Sequence, residues 1–367
     1  MRTRNIFAVP AGIVVVGIII GVLAPLLEFL GNPGNMGICV AGFGRDIAGA
    51  VGLHQDTAVQ YMRPEIPGFV LGSLAASLIF REFDPRGGSS PMTRFVLGMT
   101  AMIGMLIFLG SPCRIVLRLS GGDGSAFLGF LGFVAGVYIG TLFFRKSFNL
   151  GRSYGQSTTT GLVLPMIMLG LLALRFIYPP LEDGYQNGVL FYSAYGSGVF
   201  YAPLGISLSI GLAVGFLAQR SRFCAIAAVR DLILFRHVPL TLGLLALLIT
   251  AFAVNLSLGQ FHPSFEGQPE AHNLFLWNFI GMLTAGLAFA LAGGCSGRQL
   301  FMSGEGNSDA AVFVLGMLAG AALAYNWGLA GTSEGLGPNG AIAAITGLVV
   351  CLGIGFANLK KRQPKGC

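Results

Sequence analysis

The chain has 367 residues, of which 54% are hydrophobic and only 10% are charged, and its mean hydropathy is +0.75. This small number of ionisable groups cannot cover the water-facing surface of a globule of this size. The composition therefore excludes a soluble enzyme and indicates lipid as the main solvent. The net charge of +7 lies mostly in short loops and at the C-terminal end. There it indicates membrane topology and gives no support for a nucleic-acid partner.

Ten apolar stretches are long enough to cross a bilayer, for which about 17 to 25 residues are needed. In chain order they cover residues 6–30, 64–81, 94–112, 126–144, 158–178, 201–218, 238–259, 275–294, 310–330 and 340–357. The first is predicted to be a retained helix, because no small-residue cleavage site follows it. Segments 36–52 and 223–235 are too short to cross and are predicted to be half-helices or re-entrant segments. We therefore expect an all-α polytopic membrane protein.

The basic residues between the predicted spans set the expected orientation, because loops rich in lysine and arginine stay in the cytoplasm. With the N-terminus inside, the following basic residues all fall inside: Arg2, Arg4, Arg81, Arg86, Arg94, Arg145, Lys146, Arg152, Arg220, Arg222, Arg236, Lys360, Lys361 and Arg362. The acidic residues that then fall outside are Glu182, Asp183, Glu266 and Glu270. Both termini are therefore predicted to be cytoplasmic.

Three features recur in the same order in the two halves of the chain. They are a cysteine followed after five residues by Arg-Asp, a cysteine before a segment of serine, glycine and an acid, and a GxxxG pattern. Their offsets are 185, 182 and 184 residues: Cys39 and Cys224, Cys113 and Cys295, Gly132 and Gly316. Within one membrane domain over 1–367, we therefore expect a first repeat at 1–180 and a second at 195–360. Each contains an odd number of spans, which predicts the inverted-topology repeats typical of transporters and channels.

The first candidates for a substrate path are the four repeated cysteines: Cys39, Cys113, Cys224 and Cys295. A thiol is a weak donor with a polarisable sulfur, so it can contact an anion or another sulfur without the desolvation cost of a buried charge. The alternative is that a buried cysteine is a small apolar filler, as we expect for Cys351 in the last span. Cys367 is expected to be a solvated tail residue. No CxxC spacing indicates a disulfide or a redox pair.

Polar residues next to these cysteines are the second set of candidates. Arg114 adjoins Cys113, and Arg298 and Gln299 follow Cys295 within about one turn. Charged side chains in membrane segments usually face a cavity or a partner, so the two arginines are expected to attract an anion along the path. The alternative is that they extend to the lipid headgroups.

Two further sets are predicted to be mainly structural. The Arg-Asp pairs of the short segments are expected to hold those segments against neighbouring helices: Arg45, Asp46, Arg230 and Asp231. Glycine clusters are expected to break helices where a path needs backbone N–H groups: Gly121, Gly122, Gly294 and Gly297. The four histidines have no ligand spacing, so we expect neither a metal site nor a cofactor.

With these segments the sequence resembles the YeeE/YedE family of sulfur-transport membrane proteins, most closely its YedE branch associated with selenium metabolism. The resemblance extends over essentially the whole chain. It is carried by four short segments: 36–39 (MGIC), 111–114 (SPCR), 222–224 (RFC) and 293–298 (GGCSGR).

This resemblance implies a bacterial inner-membrane transporter or facilitator, and not an enzyme. Its cargo would be a small sulfur or selenium anion such as thiosulfate, passed between cysteine thiols along a narrow central path. Besides membrane lipid, the implied partner is a separate cytoplasmic TusA-like sulfur carrier. Two alternatives stay open: a membrane thiol oxidoreductase, which would form disulfides, and an anion channel or soft-metal carrier, since thiolates also bind such cations.

Overall fold

The computed structural model describes residues 5–181 and 185–359. The predictions on the following residues lie outside the described ranges: Arg2, Arg4, Glu182, Asp183, Lys360, Lys361, Arg362 and Cys367. Within those ranges the chain forms fourteen α-helices, and its strands are only two residues long. The predicted all-α polytopic class is therefore confirmed.

The helices fall into two sets of seven with the same order of long and short members. The first set is α1 (Pro10–Phe29), α2 (Val40–Ala50), α3 (Glu65–Ile79), α4 (Pro91–Phe108), α5 (Pro112–Gly121), α6 (Ala126–Arg145) and α7 (Thr158–Ile177). The second set is α8 (Leu204–Ser221), α9 (Ala225–Phe235), α10 (Pro239–Ser257), α11 (Phe275–Ala292), α12 (Ser296–Gly304), α13 (Ser308–Asn326) and α14 (Gly340–Ala357). In each set the second and fifth helices are short.

The remaining regular structure is small and lies in the loops. A 3-10 turn covers Gly196–Val199. The strands pair antiparallel as β1 (Arg86–Gly87) with β2 (Tyr154–Gly155), β3 (Gln186–Asn187) with β4 (Leu190–Phe191), and β5 (Gly331–Thr332) with β6 (Gly335–Leu336).

Nine helical stretches in the described part of the chain are long and apolar enough to cross a membrane. They correspond to nine of the ten predicted spans. The tenth, predicted at 64–81, is α3, a shorter apolar helix of 15 residues. Three of the nine stretches each consist of a long helix and the short helix that follows it. In one of them, the long helix ends before the predicted end of the span. The span predicted at 94–112 ends at Phe108, because Leu109 adopts a left-handed conformation with φ 60°.

The short helices number four, and two of them were not predicted as separate elements. α2 and α9 lie within the segments 36–52 and 223–235 that we expected to be half-helices. α5 begins after extended Ser111 with proline at its first position, which suits a residue without an N–H. α12 begins after Gly293, whose φ of 89° ends α11, and after extended Cys295.

Helix packing repeats between the two halves. α1 packs on α10 as α8 packs on α3, and α6 packs on α11 as α13 packs on α4. A Cβ at Gly132 would lie 2.1 Å from the Phe279 carbonyl oxygen, and a Cβ at Gly316 would lie 2.2 Å from that of Phe95. Both glycines, and both carbonyls, are 184 positions apart. The repeated GxxxG patterns therefore make the same close backbone approach twice, as small residues do in membrane bundles.

The last helix of each half departs from this repetition. α7 packs against α3, α12 and α13, whereas α14 packs mainly against α4 and α11. These two helices lie on the outside of the bundle and place no cysteine near its centre. The opposite membrane orientation of the two halves stays a prediction.

Candidate functional site

Each of the four candidate cysteines lies at the N-terminal end of a short helix. Cys39, Cys224 and Cys295 are the N-cap residues of α2, α9 and α12, and Cys113 is the second residue of α5. The Cys39 sulfur accepts a hydrogen bond from the backbone N–H of Gly42 at 3.4 Å. A helix N-terminus has unpaired N–H groups and a positive partial charge. All four thiols therefore lie where an anion is favoured.

The predicted equivalence of Cys113 and Cys295 needs a correction of two positions. α5 begins at Pro112 and α12 at Ser296, 184 residues later, so Ser111 is the counterpart of the N-cap Cys295. Cys113 lies in the first turn of its helix instead. The thiols of this second pair are therefore not related by the repeat, although both are at helix starts.

The four helix starts meet at one small apolar cavity of about 20 Å³. Cys113, Cys295 and Gly297 line it directly, and so do the residues on both sides of Cys39 and on both sides of Cys224. A volume of this size holds about one water molecule. The centre of the bundle is therefore a constriction in which both halves of the chain take part.

The thiols of the second half are in contact. The sulfurs of Cys224 and Cys295 lie 3.7 Å apart, and both residues are buried. Cys39 is also buried, Cys113 is partly accessible, and no described cysteine forms a disulfide. Cys351 is fully buried within α14 and does not line the cavity.

Arg114 does not present a free guanidinium to the cavity in this structure. It donates hydrogen bonds to four carbonyl oxygens, those of Asn35 (3.1 Å), Gly34 (3.3 Å), Pro269 (3.1 Å) and Leu109. The first three belong to the loops at 30–39 and 258–274. No carboxylate lies within 4 Å of it among the described residues. Arg114 therefore ties α5 to two loops at the same end of the bundle.

Arg298 is engaged by a carboxylate that the sequence analysis did not assign. Its guanidinium contacts the two oxygens of Glu305 at 3.0 and 3.5 Å, and Arg222 contacts Glu305 at 2.9 Å. Gln299 is fully buried; its amide nitrogen donates to the Gly294 carbonyl at 3.4 Å. The residues after Cys295 thus combine one arginine-carboxylate cluster with one buried amide.

A second carboxylate extends this cluster. Glu82 accepts from Gln219 at 2.9 Å and pairs with Arg220 at 2.9 Å and Arg222 at 3.2 Å. Partial burial acts to raise the pKa of Glu82, but the hydrogen bonds from Gln219 and Arg220 and the nearby arginine charges outweigh it, so this pKa lies below its usual value.

The two Arg-Asp pairs have very different surroundings. Asp46 is fully buried and pairs with Arg45 at 2.9 Å and with Arg63 at 2.7 Å. Arg45 also bonds to Ser197 at 2.8 Å, across to the other half of the chain. These contacts hold α2 against several neighbours.

The equivalent pair in α9 makes fewer contacts. Arg230 and Asp231 pair with each other at 2.8 Å, and their side chains are 28% and 17% exposed. No second arginine approaches Asp231 within 4 Å in the part of the chain that the structure describes.

The first glycine cluster is at the opposite end of α5 from Cys113 and does not line the central cavity, so its place on a path stays a prediction. Gly121 is the last residue of α5, and Gly122 ends it with φ 100°. Their carbonyls accept from His262 at 2.9 Å and Ser264 at 3.1 Å in the loop at 258–274. In the second cluster, Gly297 lines the cavity and Gly294 lies against Arg298.

Several charged residues of the site were not identified from the sequence. Arg118 and Asp123, 2.6 Å apart and fully buried, close the end of α5. Arg63 and Glu305 complete the two networks described above. Arg118 and Asp123 are five residues apart in the sequence, and this spacing could have indicated an ion pair. The sequence positions of Arg63 and Glu305 gave no such signal. Among the described residues, no group of three or more His, Cys, Asp or Glu is placed to hold a metal.

A multi-pass bundle whose broken helices start at one central cavity is an architecture found in membrane transport proteins with discontinuous helices. Residues 220–355 match the family described as sulphur transport. A stretch of 129 residues is 33% identical to a protein of Spirochaeta thermophila named thiosulfate transporter TsuA, and covers 33% of this chain and 38% of that protein. The chain thus aligns with well under half of this relative's length.

The match over residues 220–355 contains α9, α12 and both thiols of the second half, and it agrees with the predicted resemblance to the YeeE/YedE sulfur-transport family. The assignment to the selenium branch stays a prediction.

Proposed function

We propose that this protein is a transporter for a small sulfur oxyanion of the thiosulfate class, which passes the four thiols at the centre of the bundle. The observation that carries this proposal is the meeting of four helix N-termini, each bearing a cysteine, at one cavity. The similarity to a protein named as a thiosulfate transporter supports the choice of cargo. A selenium oxyanion is the alternative cargo of the same class.

The helix ends provide the positive potential that such a cargo needs. Each N-terminus acts as roughly half a positive charge, so four of them supply about two charges at the cavity. Thiosulfate carries two negative charges and a soft terminal sulfur. Thiols suit that sulfur because they are polarisable and weakly polar, whereas a lysine in this position would hold the anion too firmly for it to leave.

The small size of the cavity means that passage requires a conformational change. About 20 Å³ accommodates one water molecule, whereas thiosulfate has five heavy atoms. The short helices are suited to such movement, because each is joined to the preceding helix by residues in extended or left-handed conformations. We propose that they separate to admit the anion.

The proposed setting is the bacterial inner membrane, with both termini cytoplasmic and the two halves inverted. In this orientation the cluster of Glu82, Arg222 and Glu305 faces the cytoplasm. Cys224 and Cys295 are then the last thiols that an imported anion meets. A cytoplasmic TusA-like carrier would receive the sulfur at that surface.

Uptake by proteoliposomes tests the proposal. Labelled thiosulfate, selenite and sulfate are supplied outside liposomes that contain the protein, and protein-free liposomes are the control. We expect saturable thiosulfate uptake that exceeds sulfate uptake, because sulfate lacks the terminal sulfur. Folded protein that moves none of the three anions would contradict the proposal.

One observation favours a second function, that of a membrane thiol oxidoreductase. Cys224 and Cys295 lie 3.7 Å apart, so a modest shift would let them form a disulfide. Catalytic transfer of two electrons from an added thiol to an added quinone, in a Cys224-dependent manner and without anion uptake, would support this alternative.

A further inference from the structure

At one end of the bundle, two arginines converge on a single carboxylate. Arg298 contacts both oxygens of Glu305 at 3.0 and 3.5 Å, and Arg222 contacts the second oxygen at 2.9 Å. The Glu305 side chain is 6% exposed and that of Arg298 is 11% exposed. Planar guanidinium groups bind carboxylates and other oxyanions with the same forked hydrogen bonds. The Glu305 carboxylate therefore occupies a place that would fit a free oxyanion.

This cluster lies beside the thiols of the second half. Arg222 is two residues before Cys224, and Arg298 is three residues after Cys295. Arg222 and Gly293 are exposed, while the cysteines that follow them are buried. An anion that leaves these thiols toward the nearest surface thus reaches Arg222 and Arg298 next.

Glu305 is placed so that its side chain can leave while its backbone stays fixed. Its carbonyl accepts a hydrogen bond from the Asp84 N–H at 3.0 Å, and its own N–H bonds to the carbonyl of Phe301 at 3.1 Å. Glycines at 304 and 306 flank it, so neither residue adjacent to it in the chain has a side chain that would restrict its rotation. Arg222, 47% exposed, provides a route for the displaced carboxylate toward solvent.

We propose that Arg222 and Arg298 form an oxyanion-binding subsite, and that Glu305 is an internal competitor that occupies it when no anion is present. An arriving anion displaces the carboxylate, and the carboxylate in turn helps to release the anion. The subsite itself follows from the cluster geometry; only the identity of its natural ligand rests on the proposed transport function.

Equilibrium binding to purified full-length protein in detergent tests the subsite, with thiosulfate and sulfate as the titrated probes. If Glu305 occupies the arginines about nine-tenths of the time, Glu305→Gln should tighten binding of both anions about tenfold. Sulfate is included because the arginines would bind the oxygen atoms of the anion and not its terminal sulfur. The substitution should therefore change the affinity for sulfate and for thiosulfate by the same factor.

Asp84→Asn is the matched control. Asp84 lies beside Glu305 in the structure, and among the described residues its one ion-pair partner is Arg86 at 3.2 Å. Its removal changes the net charge by the same amount without freeing Arg222 or Arg298, so affinity should stay within about twofold of wild type.

Two more variants test whether the tighter anion binding depends on Arg222 and Arg298. Adding Arg298→Gln to Glu305→Gln should abolish the tightening. Arg222→Gln alone should weaken anion binding severalfold, and this half-exposed position tests the subsite even if the Glu305 variant does not fold. Unchanged or weaker binding in folded Glu305→Gln, or an equal gain in Asp84→Asn, would overturn the proposal.

Uptake measured on the same preparations separates this inference from the proposed function. Tighter binding by Glu305→Gln in a protein that moves no anion would leave the subsite standing and remove the transporter. Normal thiosulfate uptake with no effect of Glu305→Gln on binding would support the transporter and remove the subsite.

Discussion

The two halves of the chain share one helix order but close their ends of the cavity differently. The positions two residues before Cys39 and Cys113 are buried, and Arg114 binds carbonyls from two covering loops. The positions two residues before Cys224 and Cys295 are exposed. Beside these two thiols, ion pairs between the side chains of Arg222, Arg298 and Glu305 take the place of hydrogen-bonded loops. The helix repeat thus determines where the four short helices start, and the loops determine which end is more firmly closed.

The Arg-Asp pairs give the largest expected difference between the halves. Asp46→Asn should lower the free energy of unfolding by about 3–5 kcal/mol, because it leaves Arg63 buried without its counter-charge and removes one of the two carboxylates that pair with Arg45. Asp231→Asn, at the equivalent but partly exposed position, should cost about 0–1 kcal/mol. Denaturant-induced unfolding in detergent measures both. Equal losses of unfolding free energy would show that the two Arg-Asp pairs stabilise the fold to the same extent and would contradict this difference.

The glycine contacts should be alike in both halves. A Cβ at Gly132 would lie 2.1 Å from a backbone oxygen of α11, so Gly132→Ala should cost about 1–3 kcal/mol through forced separation of α6 and α11. Gly316→Ala should cost the same. Gly170 in α7 has nothing within 4 Å of an added Cβ, and Gly170→Ala is the control. A loss at Gly170 as large as at Gly132 would contradict this packing.

Oxidation should act on the second half alone. The oxidant diamide should join Cys224 and Cys295, taking two electrons and two protons from the thiols as it is reduced. We expect thiosulfate uptake to fall about tenfold, about 1.4 kcal/mol in barrier, and dithiothreitol to restore it. The residual uptake of Cys224→Ser protein should show no diamide-dependent change. Equal sensitivity of this variant would place the reactive thiols elsewhere.

The smallest expected effect concerns the closure of the first half. Arg114→Lys keeps the charge but loses the forked donors, so the loops at 30–39 and 258–274 should open more often. Labelling of Cys113 by an impermeant maleimide should then rise about threefold, a shift of under about 1 kcal/mol. Arg230→Lys, in the second half, should leave this rate unchanged. A slower rate in Arg114→Lys would show that Arg114 does not hold the loops.

Much of the helix layout could be predicted because it depends on local pattern. Length and apolarity identified the long helices, and α2 and α9 were recognisable as short segments isolated between spans. α5 and α12 were missed because each follows a long helix after only a few residues, so the apolar run is hardly interrupted. Ser111-Pro112 and Gly293-Gly294 were the available local signals.

The placement of charge could not be predicted in the same way. The sequence suggested free guanidinium groups at Arg114 and Arg298. Glu305 is only seven positions from Arg298, but three of the four carbonyls that bind Arg114 come from distant segments that only the folded chain brings together. Asn35 and Pro269 reach Arg114 across 79 and 155 positions of the chain. The four cysteines could be chosen from the repeat, whereas the shift of Cys113 relative to Cys295 required the actual helix starts.

The central claim is that the thiols at the four helix starts carry a sulfur anion, and serine substitution tests it most directly. Cys39→Ser, Cys113→Ser, Cys224→Ser and Cys295→Ser keep a polar side chain that suits a helix start but remove the sulfur. Cys351→Ser, buried in α14 away from the cavity, is the matched control. Initial rates of labelled thiosulfate uptake are compared at equal protein abundance in proteoliposomes. We predict losses of about tenfold or more in the four variants and a near wild-type rate in the control; wild-type rates in all four would contradict the claim.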